Sequence, residues 1–254
     1  MIICHTSDNH GFQYKVDGEI VSIFPDIKEE FDVFVCSGDF IPDGHWGPHR
    51  DLDLLHQSEK YQEYWVNKYA PDIKKWTHNK PFLFCSGNHD FINPCKILKK
   101  HGINAIDLDD KVVEFMGLTF YGFPYIPFMV DNWNHERNAQ DMNTECNRML
   151  SRLKDAGKED QLDILVSHCP IYGILDFTIN HGREHIGNAQ MAHTLSYKMK
   201  KLPILYLCGH NHDQGSETAQ LGSFDRAEQM FISNAATTYR IINLDDLDNL
   251  QQGD

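Results

Sequence analysis

The sequence predicts an α/β fold in which parallel strands dominate, and three observations predict it. Five short apolar runs, at about residues 2–7, 32–36, 81–84, 163–166 and 204–207, each end in a polar loop. Runs without polar alternation are what strands buried on both faces require. Between them, residues 52–78, 94–100, 138–156 and 188–200 show helical patterning. Finally, residues 112–115 and 118–121 flank Met116-Gly117 at the spacing of a two-residue hairpin, so antiparallel pairs are mixed in.

With 254 residues and 41% hydrophobic content, the chain can bury one sizeable core. It has no Ser- or Gly-rich tract and no repeat at a fixed period. One domain over residues 1–254 is therefore expected, with an inserted loop and helix at about 41–78. The formal charge of −14, from 37 acidic and 23 basic residues, argues against a surface that tracks nucleic-acid phosphates. A small phosphoester held by metal is not discouraged. Met1-Ile2-Ile3-Cys4 opens a strand without the features of a signal peptide, and no run of about 18 apolar residues occurs. A cytoplasmic protein with no membrane partner is expected. Seven cysteines lack the paired spacing of a structural zinc site and read as small buried fillers in a reducing compartment.

Taken in order, the first strand ends in Asp8-Asn9-His10-Gly11. Residues 25–31 predict a short helix with Asp26 and Glu29 in its first turns, where acids suit the dipole. The second strand ends in Gly38-Asp39, and residues 41–50, rich in Gly, Pro, His and Trp, predict a loop over the strand ends. The helix over 52–78 presents Leu52, Leu55, Tyr61, Tyr64, Trp65 and Tyr69 before Pro71 interrupts it. The third strand runs into Cys85-Ser86-Gly87-Asn88-His89-Asp90, where Gly87 permits a sharp exit. Asn88 offers a neutral oxygen, His89 an acid or base near neutral pH, and Asp90 a group to orient the ring. Asn93 caps the next helix and Gly102 stops it. Ala139, Met142, Cys146, Met149, Leu150 and Leu153 form a stripe that reads as core packing. The following strands end in Ser167-His168 and Gly209-His210-Asn211-His212. Strands near 230–233 and 239–244 read as a closing hairpin, and Asp245-Asp246-Leu247-Asp248 as a solvated tail.

Any one of these His or Asp residues alone would read as a loop cap or a satisfied core side chain. Five strand ends carrying them read differently, because the carboxyl ends of parallel strands share one edge. Asp8, His10, Asp39, Asn88, His168, His210 and His212 supply two carboxylates, one amide and four imidazoles. That is too many for one tetrahedral site and suits two divalent ions bridged by a carboxylate. Nitrogen and oxygen donors without thiolate suit Mn, Fe, Zn or Ni, with Mn preferred.

Asp8-x-His10, Gly38-Asp39, Gly87-Asn88-His89-Asp90, His168 and Gly209-His210-x-His212, in this order, resemble the five motifs of the calcineurin-like metallophosphoesterase superfamily. The resemblance implies two mixed β-sheets packed as a sandwich flanked by helices. It implies that Asp8, His10 and His212 hold one metal, Asn88, His168 and His210 the other, and that Asp39 bridges. It implies phosphoester hydrolysis by metal-activated hydroxide, with His89 stabilising the transition state and protonating the leaving oxygen. Phe231-Ile232-Ser233-Asn234-Ala235 and the short chain resemble the class III cyclic nucleotide phosphodiesterases and metallophosphoesterase-domain-containing proteins.

The chain departs from that pattern at two points. Many members carry Gly-Asp-x-x-Asp, the second Asp supporting the catalytic His, whereas position 42 is Pro and the nearest acid is Asp43. Asp43 is thus the candidate partner of His89. No Arg closely follows Asp39 or Asp90, which argues against a phosphoprotein phosphatase. The leading expectation is a phosphodiesterase on small phosphodiesters such as cyclic nucleotides, with Trp46, Tyr125, Trp133 and Tyr172 as aromatics able to hold a base. A nuclease or phosphomonoesterase on the same core is the alternative, and a noncatalytic metal-binding interaction protein the reading from another class. His45, His49 and His56 read as surface residues.

Overall fold

The computed structural model describes residues 1–43, 52–130, 132–180, 182–223 and 226–251. Its strands are β1 (Ile2–Thr6), β2 (Gln13–Val16), β3 (Glu19–Ser22), β4 (Val33–Cys36), β5 (Phe82–Phe84), β6 (Ala105–Asp107), β7 (Val112–Phe115) and β8 (Leu118–Phe123). There follow β9 (Ile126–Pro127), β10 (Glu136–Arg137), β11 (Ile164–Ser167), β12 (Leu205–Cys208), β13 (Thr218–Ser223), β14 (Arg226–Asn234) and β15 (Tyr239–Asn243). The α-helices are α1 (Leu52–Trp76), α2 (Cys95–Lys100), α3 (Ala139–Asp155), α4 (Ala189–His193) and α5 (Leu244–Gln251).

Two mixed sheets carry the architecture. One has the order β15-β1-β4-β5-β6, parallel except for β15, which pairs antiparallel to β1. The other has the order β13-β14-β12-β11-β8-β7, with a parallel centre and antiparallel edges. Side chains alternate between the two faces of each strand, and both faces are covered. Ile3, Val33, Val35 and Leu83 point inward and meet Phe120, Ile164, Val166, Leu205 and Leu207 of the facing sheet. On the outer face of the first sheet, Phe34, Cys36, Phe82 and Phe84 pack with Trp65, Val66, Ile73 and Leu98 from α1 and α2. On the outer face of the second, Tyr121, Leu165 and Tyr206 pack with Met142, Cys146, Met149 and Leu153 of α3. The result is a four-layer helix-sheet-sheet-helix sandwich, and it explains why the parallel strands are apolar throughout. All seven cysteines are free and buried. Among the described residues, no helix is long and apolar enough to cross a membrane.

One polar residue crosses the inter-sheet core. His5, fully buried, places Nε2 2.9 Å from Ser37 Oγ and Nδ1 3.2 Å from Ser233 Oγ, so its ring ties the two sheets together. Burial, with the positive charge of Arg240, lowers its pKa to about 3 against the pull of Asp8. The unfolded ring titrates near its ordinary value, so below about pH 6.5 the unfolded chain binds more protons and stability falls as pH drops toward 3. Urea midpoints compared at about pH 7 and about pH 4.5 should therefore fall less steeply in His5→Gln than in the native chain. Equal slopes would contradict this.

Several sequence expectations need correction. Residues 25–31 form no helix: Pro25 to Phe31 run irregularly, with Ile27 and Phe31 anchored in the core and the Ile27 carbonyl bound by His78 Nε2 at 3.0 Å. Pro71 does not end α1, because Pro71 and Asn67, whose carbonyl loses its partner, both lie on the exposed face. The helix over 188–200 is α4 followed by a π-turn to Lys198. The last two strands form no hairpin, for β14 pairs with β12 and β13 in one sheet while β15 pairs with β1 in the other. The acidic tail begins α5, with Asp245 and Asp246 in its first turn, where they complement the dipole. The sequence reading also missed the β2–β3 hairpin, whose turn is Asp17-Gly18 with both residues at positive φ.

Candidate metal centre

The polar residues gather where β1, β4 and β5 of one sheet and β11 and β12 of the other give way to loops. Asp8, His10, Asp39 and His210 all have left-handed backbones, with φ of 53°, 44°, 51° and 64°. For non-glycine residues this conformation costs about 1–3 kcal/mol each and persists only where the surroundings enforce it. Here the enforcement is backbone pairing between loops: Asp8 N donates to Gly38 O at 2.9 Å and His10 N to Asp39 O at 3.0 Å. His210 N donates to Asp8 Oδ2 at 2.8 Å. A Cβ on Gly87 would overlap Asp39, and one on Gly38 would overlap His168, so these motif glycines let the loops close together.

Among the described residues, three groups of side-chain atoms could hold a metal ion. Asp8, His10 and His212 form the first, with His212 Nε2 3.1 Å from Asp8 Oδ1. Asp8, Asp39 and His168 form the second, with His168 Nε2 3.1 Å from Asp39 Oδ2 and 3.0 Å from Asn88 Oδ1. His10, Asp43 and His89 form the third. His210 lies beside them, its ring centroid 5.0 Å from that of His168, without a ligand atom in any of the three groups.

The donor chemistry of the second group fits a cation. His168 Nδ1 is 2.9 Å from the Ser37 carbonyl, an acceptor only, so Nδ1 carries hydrogen and Nε2 of the neutral ring is a lone pair. That lone pair meets a carboxylate oxygen and an amide oxygen, and such a convergence of acceptors needs a proton or a metal ion. Without metal, the proton is the remedy: Asp39 and Asp8 overcome the effect of burial and raise His168 to about 9. The converse holds for the acids. Burial alone would raise Asp8, but His168 and the hydrogen bond from His212 bring it down to about 2, and Asp39 is held well below its ordinary value in the same way by His168 and His89. Burial and the positive His168 lower His210 to about 3, leaving a neutral imidazole of the kind that binds metal.

Of the two acids expected to serve His89, Asp43 reaches the ring and Asp90 does not. Asp43 Oδ2 lies 2.7 Å from His89 Nδ1, so the acid one residue late does orient the ring. Its Oδ1 is buried without a hydrogen-bond partner, 3.7 Å from His10 Nδ1. Asp90, expected to orient His89, instead accepts from the backbone N–H groups of Asp39, Gly87 and Ile41 at 2.7, 2.9 and 3.1 Å. It ties the β4 and β5 loops together. Burial and the neighbouring Asp39 raise its pKa to about 7.

Of the three expected aromatics among the described residues, Tyr125, Trp133 and Tyr172, only Trp133 is shown beside a site residue. Its ring centroid is 4.2 Å from that of His89. Tyr125 is buried and donates its hydroxyl to Asp110, and Tyr172 lies half exposed against His185. Trp46, His45 and His49, with most of the 41–50 loop, lie outside the described residues. His56 is on the surface, 3.3 Å from Glu59.

A family model described as calcineurin-like phosphoesterase matches residues 1–214, and the chain belongs to that family. A UPF0046 protein of Caenorhabditis elegans, T07D4.2, is 34% identical over 114 residues. The match covers 43% of this chain and 24% of the length of that relative. A solved crystal structure is similar to the chain with a TM-score of 0.59 at 13% identity, covering 96% of this chain and 95% of its own, a likeness of fold.

Proposed function

We propose that this chain is a dinuclear metal-dependent phosphodiesterase acting on small phosphodiesters, cyclic nucleotides among them. One observation carries the reading: two carboxylates, an amide and imidazoles converge on one edge of the sandwich, while His89 stands at that edge with its Nδ1 taken by Asp43. Asp8, His10 and His212 would hold one ion and Asn88, His168 and His210 the other, with Asp39 between them. Manganese suits these donors. Bound divalent ions would supply Lewis acidity toward the phosphate oxygens and a nucleophile at neutral pH.

The protein groups supply the rest. Asp43 fixes the tautomer of His89, so that Nδ1–H points at the carboxylate and Nε2 faces Asp39 Oδ2, 4.0 Å away. As the imidazolium, with Nδ1–H held by Asp43, the ring can use Nε2–H to stabilise charge on the phosphoryl group and hand that proton to the departing oxygen, returning to the neutral Nδ1–H form. Asp39 accepts from His89 N at 2.7 Å, which fixes the position of the acid relative to the bridging carboxylate.

Metal-stripped protein restored with Mn²⁺, Ni²⁺, Zn²⁺ or Mg²⁺ should hydrolyse bis-p-nitrophenyl phosphate faster than p-nitrophenyl phosphate. Turnover of the monoester alone would replace this reading with a phosphatase. Metal binding without turnover of any phosphoester would replace it with a noncatalytic protein.

A further inference from the structure

Helix α1 buries a glutamine. Gln62 is fully buried, while Trp65, Val66, Tyr69 and Ile73 of the same helix pack into the core. An amide removed from water costs stability unless its hydrogen bonds are met, and here both donors and both acceptor positions are used. Nε2 donates to Pro42 O at 3.3 Å and to His89 O at 2.7 Å, and Oε1 accepts from Phe91 N at 2.8 Å and Ile92 N at 3.2 Å. Every partner is backbone, drawn from the two loops that carry Asp43 and His89. On the first loop Asp90 already holds Asp39 N and Ile41 N, and Gln62 takes the next carbonyl, immediately before Asp43. On the second it holds the backbone of His89 itself and of the residues that follow Asp90.

We propose that Gln62 is a positioning residue for the proton donor, setting the separation of Asp43 from His89 by holding the backbone of both loops. The proposal rests on the phosphodiesterase reading of the site. Asp43 stands one residue later than the second Asp of Gly-Asp-x-x-Asp, so the segment from Asp39 has one more residue to place before its carboxylate meets the ring. An extended residue spans about 3.3–3.6 Å. The Oδ2–Nδ1 bond of 2.7 Å tolerates far less error than that. One amide bonded to Pro42 O and His89 O makes the separation a property of the helix rather than of a free loop. Nδ1–H then stays on Asp43, and the charged ring keeps Nε2–H for the phosphoryl group and the leaving oxygen. Fully buried and bonded to none of the proposed metal ligands, Gln62 acts through His89.

The test is a double-mutant cycle in the Mn²⁺-restored protein. Gln62→Met, which keeps the volume and removes the amide, should lower kcat for diphenyl phosphate by about 10- to 100-fold with little change in KM. The loss for bis-p-nitrophenyl phosphate should be smaller, because p-nitrophenolate needs the proton less. In His89→Ala protein the same substitution should cost no more than about 2-fold. A loss of equal size with and without His89, or equal for both diesters, marks a purely structural role and overturns the proposal. Should Gln62→Met lose the native circular dichroism spectrum, Gln62→Asn, which keeps an amide on a shorter arm, takes its place in the cycle with the same expectations. A second readout needs no turnover. The Nδ1–H proton between His89 and Asp43 is identified in the NMR spectrum of the Mg²⁺-loaded chain by its loss in His89→Ala. In Gln62→Met it should exchange with water about 10-fold faster or more. Unchanged exchange overturns the proposal even if diesters are cleaved. If the native chain cleaves no diester with Mn²⁺ bound, the phosphodiesterase reading has failed, and the exchange of this proton alone decides whether Gln62 holds the pair.

Discussion

Asp39→Asn is expected to abolish diester turnover and to release metal while leaving the fold intact. The carboxylate sits 3.1 Å from His168 Nε2 and 2.7 Å from His89 N, and only Asp8 among the proposed ligands shares its charge. An amide keeps the size and can still accept from His89 N, so the loop geometry survives. What is lost is one negative charge between the two proposed ion sites. Weakening a metal that contributes several kcal/mol of transition-state stabilisation predicts a loss of about 10³-fold or more. Elemental analysis of the purified variant should show less bound metal than the native chain, with an unchanged circular dichroism spectrum. A variant with full metal content and native turnover would remove Asp39 from the bridging role.

The second large effect belongs to His89 and Asp43, and it has a different signature. His89→Ala should lower kcat by about 10²- to 10⁴-fold with metal content unchanged. The loss should grow as the leaving group worsens, because p-nitrophenolate departs with little need of a proton and an alkoxide does not. Asp43→Asn, which removes the charge that orients the ring, should cost about 10- to 100-fold with the same dependence on leaving group. A flat response of His89→Ala across leaving groups would show that the ring does not act as the proton donor.

How much of this was legible in the sequence depends on the range of the interaction that fixes each part. The polar strand ends were legible because their signal is local, an apolar run and then Asp8, Asp39, Asn88, His168 or His210. Their convergence followed from a rule of topology, that parallel strands share an edge. The direction a side chain takes after leaving the strand was only partly legible, since Asp43 was expected beside His89 but so was Asp90. Asp90 and Asp43 flank His89 and Asp39 in sequence, but left-handed Asp39 and the backbone N–H groups of Gly87 and Ile41 capture Asp90, and Asp43 is left to reach the imidazole.

Sheet membership at the end of the chain was also decided at long range. Residues 230–243 contain two strands of opposite allegiance, and the Phe231–Leu205 and Tyr239–Thr6 pairings that separate them involve partners far off in sequence. The β2–β3 hairpin was a different failure. Its Asp17-Gly18 signal was present, but the flanking residues are largely exposed and lack the apolar alternation that marks a strand. Nothing in the composition near Glu136 says that its carboxylate accepts from the backbone N–H groups of Met129, Val130, Asn132 and Trp133.

The most direct test of a two-ion phosphodiesterase is a titration of metal-stripped protein with Mn²⁺, following bound metal and bis-p-nitrophenyl phosphate hydrolysis together. Turnover should be absent in the stripped chain and should rise until about two equivalents are bound, then level off. Turnover that is full before any metal binds, or that saturates at about one equivalent with no second ion taken up, would contradict the dinuclear centre.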